Sequence, residues 1–208
     1  MEISIISICA ASGDDIAVCV LVSNGEASQR EKFVISADAY TKMGLSKGDI
    51  DVDIYEALER EAGVNSAFKR AMAILGYGGC SKRALVTKLL QKGFAREYAS
   101  EAVERAVALG YVDDAENARR EAQRCVVKLW GESRIRASLI QKGYSSGAVE
   151  QALCALEDEG VDFLGNCREL ISRKYPVIPK ERAEKQKLIA ALMRYGYTLS
   201  QIKSALSK

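Results

Sequence analysis

The apolar positions of this chain change period along its length. Up to about residue 50 they alternate. Ile3, Ile5 and Ile8 begin the pattern, and Ile16, Val18, Val20 and Val22 alternate strictly, which is the period of a half-buried strand. Asn24-Gly25 follows as a hairpin signal, and a third strand is predicted over about 30–35. The expectation is a three-stranded antiparallel meander, capped by a short helix over about 38–43 that ends at Gly44. From Asp51 the spacing becomes helical. Helices are predicted near 51–62, 66–76, 82–92, 96–109, 114–130, 132–142, 146–158, 161–174, 180–195 and 199–207. Gly63, Gly76–Gly79, Gly110, Gly131, Gly143, Gly160 and Gly196 are read as the breaks between them, and Pro176 and Pro179 mark a long connection.

In the helical region a single segment is written three times. It reads Leu85-x-x-x-Leu89-Leu90-Gln91-Lys92-Gly93-Phe94, then Ile135-x-x-x-Leu139-Ile140-Gln141-Lys142-Gly143-Tyr144, then Leu188-x-x-x-Leu192-Met193-Arg194-Tyr195-Gly196-Tyr197. A period of about fifty residues marks a tandem array. The apolar spacing i, i+4, i+5 is one face of a helix, and each glycine stands where that helix stops in a left-handed turn. Phe94, Tyr144 and Tyr197 would then pack on Leu89, Leu139 and Leu192, and a second helix starts at once; Thr198 and Gln201 make a capping-box pair for the last of these. The fold class expected is mostly α with a small N-terminal β module (α+β). Its components are a meander module over 1–50, a connecting helix over 51–63, and three-helix repeats over 64–112, 113–160 and 161–208. Deleting residues 1–50 is expected to leave the repeats folded.

Composition narrows the chemistry. The 208 residues include no histidine, which removes Ser-His and Cys-His catalysis and the commonest zinc ligand. The six cysteines form no Cys-x-x-Cys pair; Cys125 and Cys154 fall on apolar helical positions, and the thiols are expected reduced and buried, as in a cytoplasmic protein. Residues 1–11 are apolar without a basic leader and read as a strand, and no apolar run is long enough to cross a membrane. No Gly-rich phosphate loop, metal-spaced cluster or nucleophile–base pair is visible, so no catalytic residue, metal or cofactor is expected. Asp113-Asp114, the one candidate carboxylate pair, sits where a helix would begin and reads as a cap.

Charge is divided unevenly. Residues 1–66 carry 5 Lys and Arg against 12 Asp and Glu, whereas residues 67–208 carry 25 against 16. The basic repeats suggest a polyanion or an acidic protein surface as partner. Their densest cluster lies in the middle repeat: Arg120, Arg124 and Lys128 at i, i+4, i+8, with Arg119 beside them and Arg134 and Arg136 just beyond. These six residues are the candidate partner-binding set. A solvated helix face is the plainer alternative; the predominance of arginine favours recognition of carboxylate or phosphate.

The triplicate, with Gly110-Tyr111-Val112-Asp113-Asp114 leading into the Arg-rich helix and then Trp130-Gly131-x-x-x-Ile135, resembles the RecX family of bacterial recombination regulators. Ser81 ahead of Leu85, Leu89, Lys92 and Gly93 matches the family's first-repeat segment. The resemblance covers about residues 66–208. The chain departs from the pattern at Asn117-Ala118, at Ala84, and at Tyr195, where the other copies have lysine. The resemblance implies an elongated array that binds the recombinase RecA and its nucleoprotein filament, inhibits ATP hydrolysis and strand exchange, and limits filament growth. It implies a regulator in DNA repair and the SOS response, not an enzyme; the chain is expected to be a monomer. Non-specific contacts to DNA phosphates are compatible with it. The alternative is a DNA-binding protein using helix–Gly–helix units; Arg96-Glu97, Ser145-Ser146 and Thr198-Leu199, which open the second helices, are a poor base-reading set.

Overall fold

A computed structural model describes residues 2–25, 27–179 and 181–207. Lys180, the predicted start of the penultimate helix, lies outside the described residues, as do Met1 and Lys208 at the ends of the first strand and last repeat. The chain divides into two compact units. One comprises the residues up to Gly78 together with Leu85–Tyr111; the other comprises Gly79–Ala84 and the residues from Val112 on.

The first unit opens with the expected meander, β1 (Glu2–Ala10), β2 (Asp15–Ser23) and β3 (Ser28–Ser36), all antiparallel. A two-residue strand, β4 (Gly48–Asp49), adds to the far edge of β1 and makes the order β3-β2-β1-β4. Sequence missed β4 because so short a strand has no period. Helix α1 (Ala37–Met43) is capped by Ser36 and stopped by Gly44 in a left-handed conformation, as expected. Ile3, Ile5, Val18, Val20 and Ile35 form the sheet's core with Leu58 of α2 (Val52–Leu75).

Helix α2 corrects one expectation. Gly63 does not divide it, and the helix runs unbroken for 24 residues. A Cβ on Gly63 would lie 2.6 Å from the ring of Tyr98, so the glycine is there to let α4 (Arg96–Ala108) approach. A glycine inside a helix costs about 1 kcal/mol relative to alanine; packing of Tyr98 and Phe94 with Val64, Ala67 and Ala102 offsets it. Asn65, also on α2, is buried and donates to Asp15 Oδ1 (3.3 Å) and to the Val34 carbonyl (3.1 Å). Lys69 pairs with the other Asp15 oxygen.

Helix α3 (Lys82–Gln91) follows, and the remaining helices are α5 (Asp114–Val127), α6 (Glu132–Gln141), α7 (Ser146–Asp158), α8 (Phe163–Lys174), α9 (Arg182–Arg194) and α10 (Leu199–Leu206). The three glycine stops form as predicted. Gly93, Gly143 and Gly196 have φ of 90°, 86° and 95°. Phe94, Tyr144 and Tyr197 each donate a backbone N–H to the carbonyl of Leu89, Leu139 or Leu192, the bond of a Schellman stop. Thr198 and Gln201 make the expected capping box. The second unit holds two cores, one under α5, α6 and α7, the other under α8, α9 and α10.

Helix α5 ends earlier than predicted, and not at a glycine. Leu129 takes the left-handed position with φ of 56°, and Trp130 N–H bonds to the Cys125 carbonyl. The cost of a left-handed leucine, about 1–2 kcal/mol, is offset by burial of its side chain among Cys167, Leu170 and Leu192. Cysteine burial is also only partly as expected: Cys80, Cys125 and Cys167 are buried, whereas Cys9 and Cys154 are exposed, and all six are free thiols. Cys154 lies on the outer side of α7, so its apolar neighbours in sequence misled. Among the described residues no helix is long and apolar enough to cross a membrane.

Candidate partner-docking surface

The candidate residues are positioned by three local devices. Asp113 caps α5 by accepting from the Ala115 and Glu116 amides, which starts the Arg-rich helix in register. Asp114 does something sequence did not suggest: its Oδ1 accepts from the Lys82 amide at 2.9 Å and caps the start of α3. Both carboxylates are therefore committed to helix ends. The third device is a pair of glycines. Gly131, the N-cap of α6, donates its N–H to the Tyr195 carbonyl (2.8 Å), and Ser133 N–H reaches the Gly196 carbonyl (3.3 Å). Tyr197 completes the joint by donating its hydroxyl to the Leu129 carbonyl at 2.9 Å, and burial pushes its phenol well above the ordinary range.

Four of the six predicted basic residues are held by the chain's own carboxylates. Arg119 bonds Glu116 (2.9 Å) and Glu159 (2.9 Å), and Arg120 shares Glu116 (2.7 Å). Hydrogen bonds from Arg119 and then Arg120 bring the Glu116 carboxyl down to about 2. Arg124 lies 3.5 Å from Glu121, which also accepts from Lys142. Arg136 pairs with Glu150 and with Glu132 (3.1 Å). Exposed pairs of this kind contribute about 0–1 kcal/mol each, so their main effect is to balance charge locally.

The other two are held by rings. Arg134 Cζ lies 4.1 Å from the Trp130 ring centre and 5.1 Å from that of Tyr195; Lys128 Nζ lies 5.3 Å from Trp130. Lys174, absent from the predicted set, lies 4.7 Å from the Tyr195 ring and donates to its hydroxyl. The six are thus not one surface of equivalent charges. Arg119 and Arg120 share a carboxylate, Lys128 and Arg134 share a ring, and Arg124 and Arg136 stand on separate partners. Glu116 precedes Arg119 and Arg120 by three and four residues within α5, so these pairings were visible in the spacing, whereas Trp130 lies before the N-cap of α6 and no helical spacing joins it to Arg134. Glu159 and Lys174 carried no local signal, since each comes from another helix. Among the described residues no three of His, Cys, Asp and Glu converge as metal ligands.

Residues 162–206 match the family described as RecX, third three-helix domain. The regulatory protein RecX of Xanthomonas axonopodis pv. citri (strain 306) is 30% identical over 138 residues, spanning 66% of this chain and 83% of that one. The one from Vibrio vulnificus (strain CMCP6) is 32% identical over 121 residues, 58% of this chain and 77% of that one. A crystal structure of regulatory protein RecX superposes with a TM-score of 0.78 at 20% identity, covering 99% of this chain and 100% of the other. RecX from Lactobacillus salivarius superposes at 0.58 with 18% identity over 70% of this chain and 95% of its own. The two structures share the fold, and the sequence relatives settle the kinship: this chain belongs to the RecX family of regulatory proteins.

Proposed function

We propose that this protein binds the recombinase RecA and its filament on DNA, inhibits ATP hydrolysis and strand exchange, and limits filament growth. It acts in the cytoplasm as a regulator of recombination and repair, not as an enzyme. The observation that carries the reading is membership of the RecX family, joined to a tandem helical array that displays basic side chains from α5 and α6. Arg119, Arg120, Arg124, Lys128, Arg134 and Arg136 supply the docking contacts. Those that already hold a carboxylate of the chain dock by exchanging it for one on the partner, a swap between like groups that favours specificity over affinity. The DNA-reading alternative is disfavoured at its own helices: Ser145 and Thr198 spend their hydroxyls capping α7 and α10.

The test is ATP hydrolysis by a cognate RecA on single-stranded DNA with increasing amounts of the purified protein. Inhibition that weakens when Arg120 and Arg124 are reversed to glutamate is expected. No inhibition at any ratio overturns the proposal.

A further inference from the structure

Three cations that no carboxylate answers are gathered in one place. Lys128, Arg134 and Lys174 have no ion-pair partner among the described residues. They alternate with two rings in the order Lys128, Trp130, Arg134, Tyr195, Lys174, every neighbour within 5.3 Å of the next ring centre. The joint between Gly131 and Gly196 builds this row, because it sets the residues just before the two glycines side by side. Tyr195 stands where the other two copies have Lys92 and Lys142, so only the third repeat can close it.

A guanidinium lying over rings has its charge partly answered without spending its N–H donors. Arg134 keeps those donors, and no described residue accepts from them. Three such cations in a row do not suit one protein carboxylate. Carboxylates have been matched elsewhere in this unit, one by one, to Arg119, Arg120, Arg124 and Arg136. A row of cations interleaved with aromatics suits a chain that repeats its anion and offers flat apolar groups between, which is a flexible nucleic-acid strand.

The geometry points to a single-stranded nucleic-acid site in which Lys128, Arg134 and Lys174 receive successive backbone phosphates while Trp130 and Tyr195 align them and meet bases or sugars without sequence preference. Lys128 and Arg134 belong to the proposed docking set as well, so the two surfaces share these side chains; the nucleic-acid site goes beyond docking because it rests on the row of rings and cations, which that proposal does not use.

Anisotropy of a labelled oligothymidylate, titrated with the full chain, tests the site. Binding is expected to weaken with salt with a log–log slope of about −2, from three contacts on a single strand at about −0.7 each. R134A should lose about tenfold or more in affinity, and Y195L, which removes a ring, should do likewise. R120Q and R124Q, whose arginines already hold carboxylates, should stay within about threefold. Circular dichroism identifies any variant that has lost its fold, and R134A carries the comparison if Y195L has. Failure of the wild type to bind at low salt, wild-type affinity in R134A, or a duplex of equal length bound as tightly as the single strand would each overturn the site. ATPase inhibition is read separately: a chain that inhibits RecA but ignores the oligonucleotide loses this site and keeps the proposed function.

Discussion

Gly131 and Gly196 pack backbone against backbone. A Cβ on Gly131 would stand 2.4 Å from the carbonyl carbon of Gly196, and one on Gly196 would stand 2.5 Å from the Arg134 nitrogen. Gly131 has an ordinary φ of −78°, so nothing in its own conformation demands glycine. The turn of Gly143 meets an equivalent seat: Ser81 donates its hydroxyl to the Lys142 carbonyl at 2.7 Å, just as Gly131 N–H serves the Tyr195 carbonyl. Both donors are the N-cap of a helix, and both acceptors are the residue before a stop glycine. At Gly143 and Gly196 the repeated glycine therefore ends one helix and fits its turn to the start of another.

That distinction separates two kinds of glycine by experiment. Gly93 has φ of 90° but open space around its Cβ direction, so G93A should cost about 1–2 kcal/mol, the left-handed penalty alone. G131A has no such penalty but collides with backbone on the far side, which cannot give way as a side chain can. It should cost more, about 2–4 kcal/mol, in line with other overpacked sites. Urea denaturation of the two variants decides; a G131A chain at least as stable as G93A would show that the joint is looser than described.

Ser81 serves two bonds at once. Its hydroxyl accepts from the Ala84 amide at 3.1 Å as the cap of α3 and donates to the Lys142 carbonyl, and the residue is buried. S81A removes both and is expected to cost about 2 kcal/mol, compared with about 1 for a cap alone. S145A, which removes a cap without a second bond, is the control. Equal losses from the two would assign Ser81 to capping only.

Acid should loosen the middle repeat through Glu116. Its carboxyl lies at about 2 in the folded chain against an ordinary 4.5, held down by hydrogen bonds from Arg119 and Arg120. A depressed carboxyl stabilises the fold above the unfolded value and loses that contribution as pH falls toward the folded one. Wild type and E116Q should therefore differ most in thermal midpoint at neutral pH and converge between 4.5 and about 2. A constant gap across that window would mean that the two arginines do not respond to the charge of Glu116.

Much of this architecture was legible in the residue pattern, and what was not has a common cause. The strands of the meander, the three glycine stops and the Thr198 capping box follow from neighbours in sequence, so short-range spacing was enough. Gly63 and Gly131 look like simple breaks because a glycine that ends a helix and a glycine that admits a neighbour are alike locally. Only Tyr98 and Gly196, distant in sequence, tell them apart. The same holds for the docking residues. Periodicity found the arginines of α5, but the carboxylate of Glu159 and the ring of Tyr195, which decide how much of that charge is free, arrive from beyond α7 and α9.

The thiols give a test of burial that needs no variant. Burial raises Cys167 to about 11, and burial also raises Cys125, opposing the thiolate that reacts. Cys9 and Cys154 are exposed. A thiol-reactive chromophore should modify those two quickly in the native chain and reach Cys125 and Cys167 only on unfolding. Mass mapping that finds Cys167 among the first modified would contradict the packing of α8 on α10.

The last prediction concerns the tie between sheet and helix in the first unit. Asn65 offers its amide to Asp15 of β2 and to the carbonyl of Val34 on β3, so one buried side chain holds two strands against α2. N65A would leave the Asp15 carboxylate with Lys69 as its remaining side-chain partner and take from the Val34 carbonyl the donor that Asn65 supplies. Leaving buried polar groups unpaired costs about 1–3 kcal/mol each. The loss should fall on the first unit alone. Hydrogen exchange should quicken in β2, β3 and α2 of N65A while the amides of α8 to α10 keep their protection. The same tie qualifies the expectation for a chain lacking residues 1–50. Its second unit should keep its protected amides, whereas α2, deprived of the strands around Leu58, should exchange fast. Slow exchange throughout α2 in that truncated chain would show that the helix stands without the sheet.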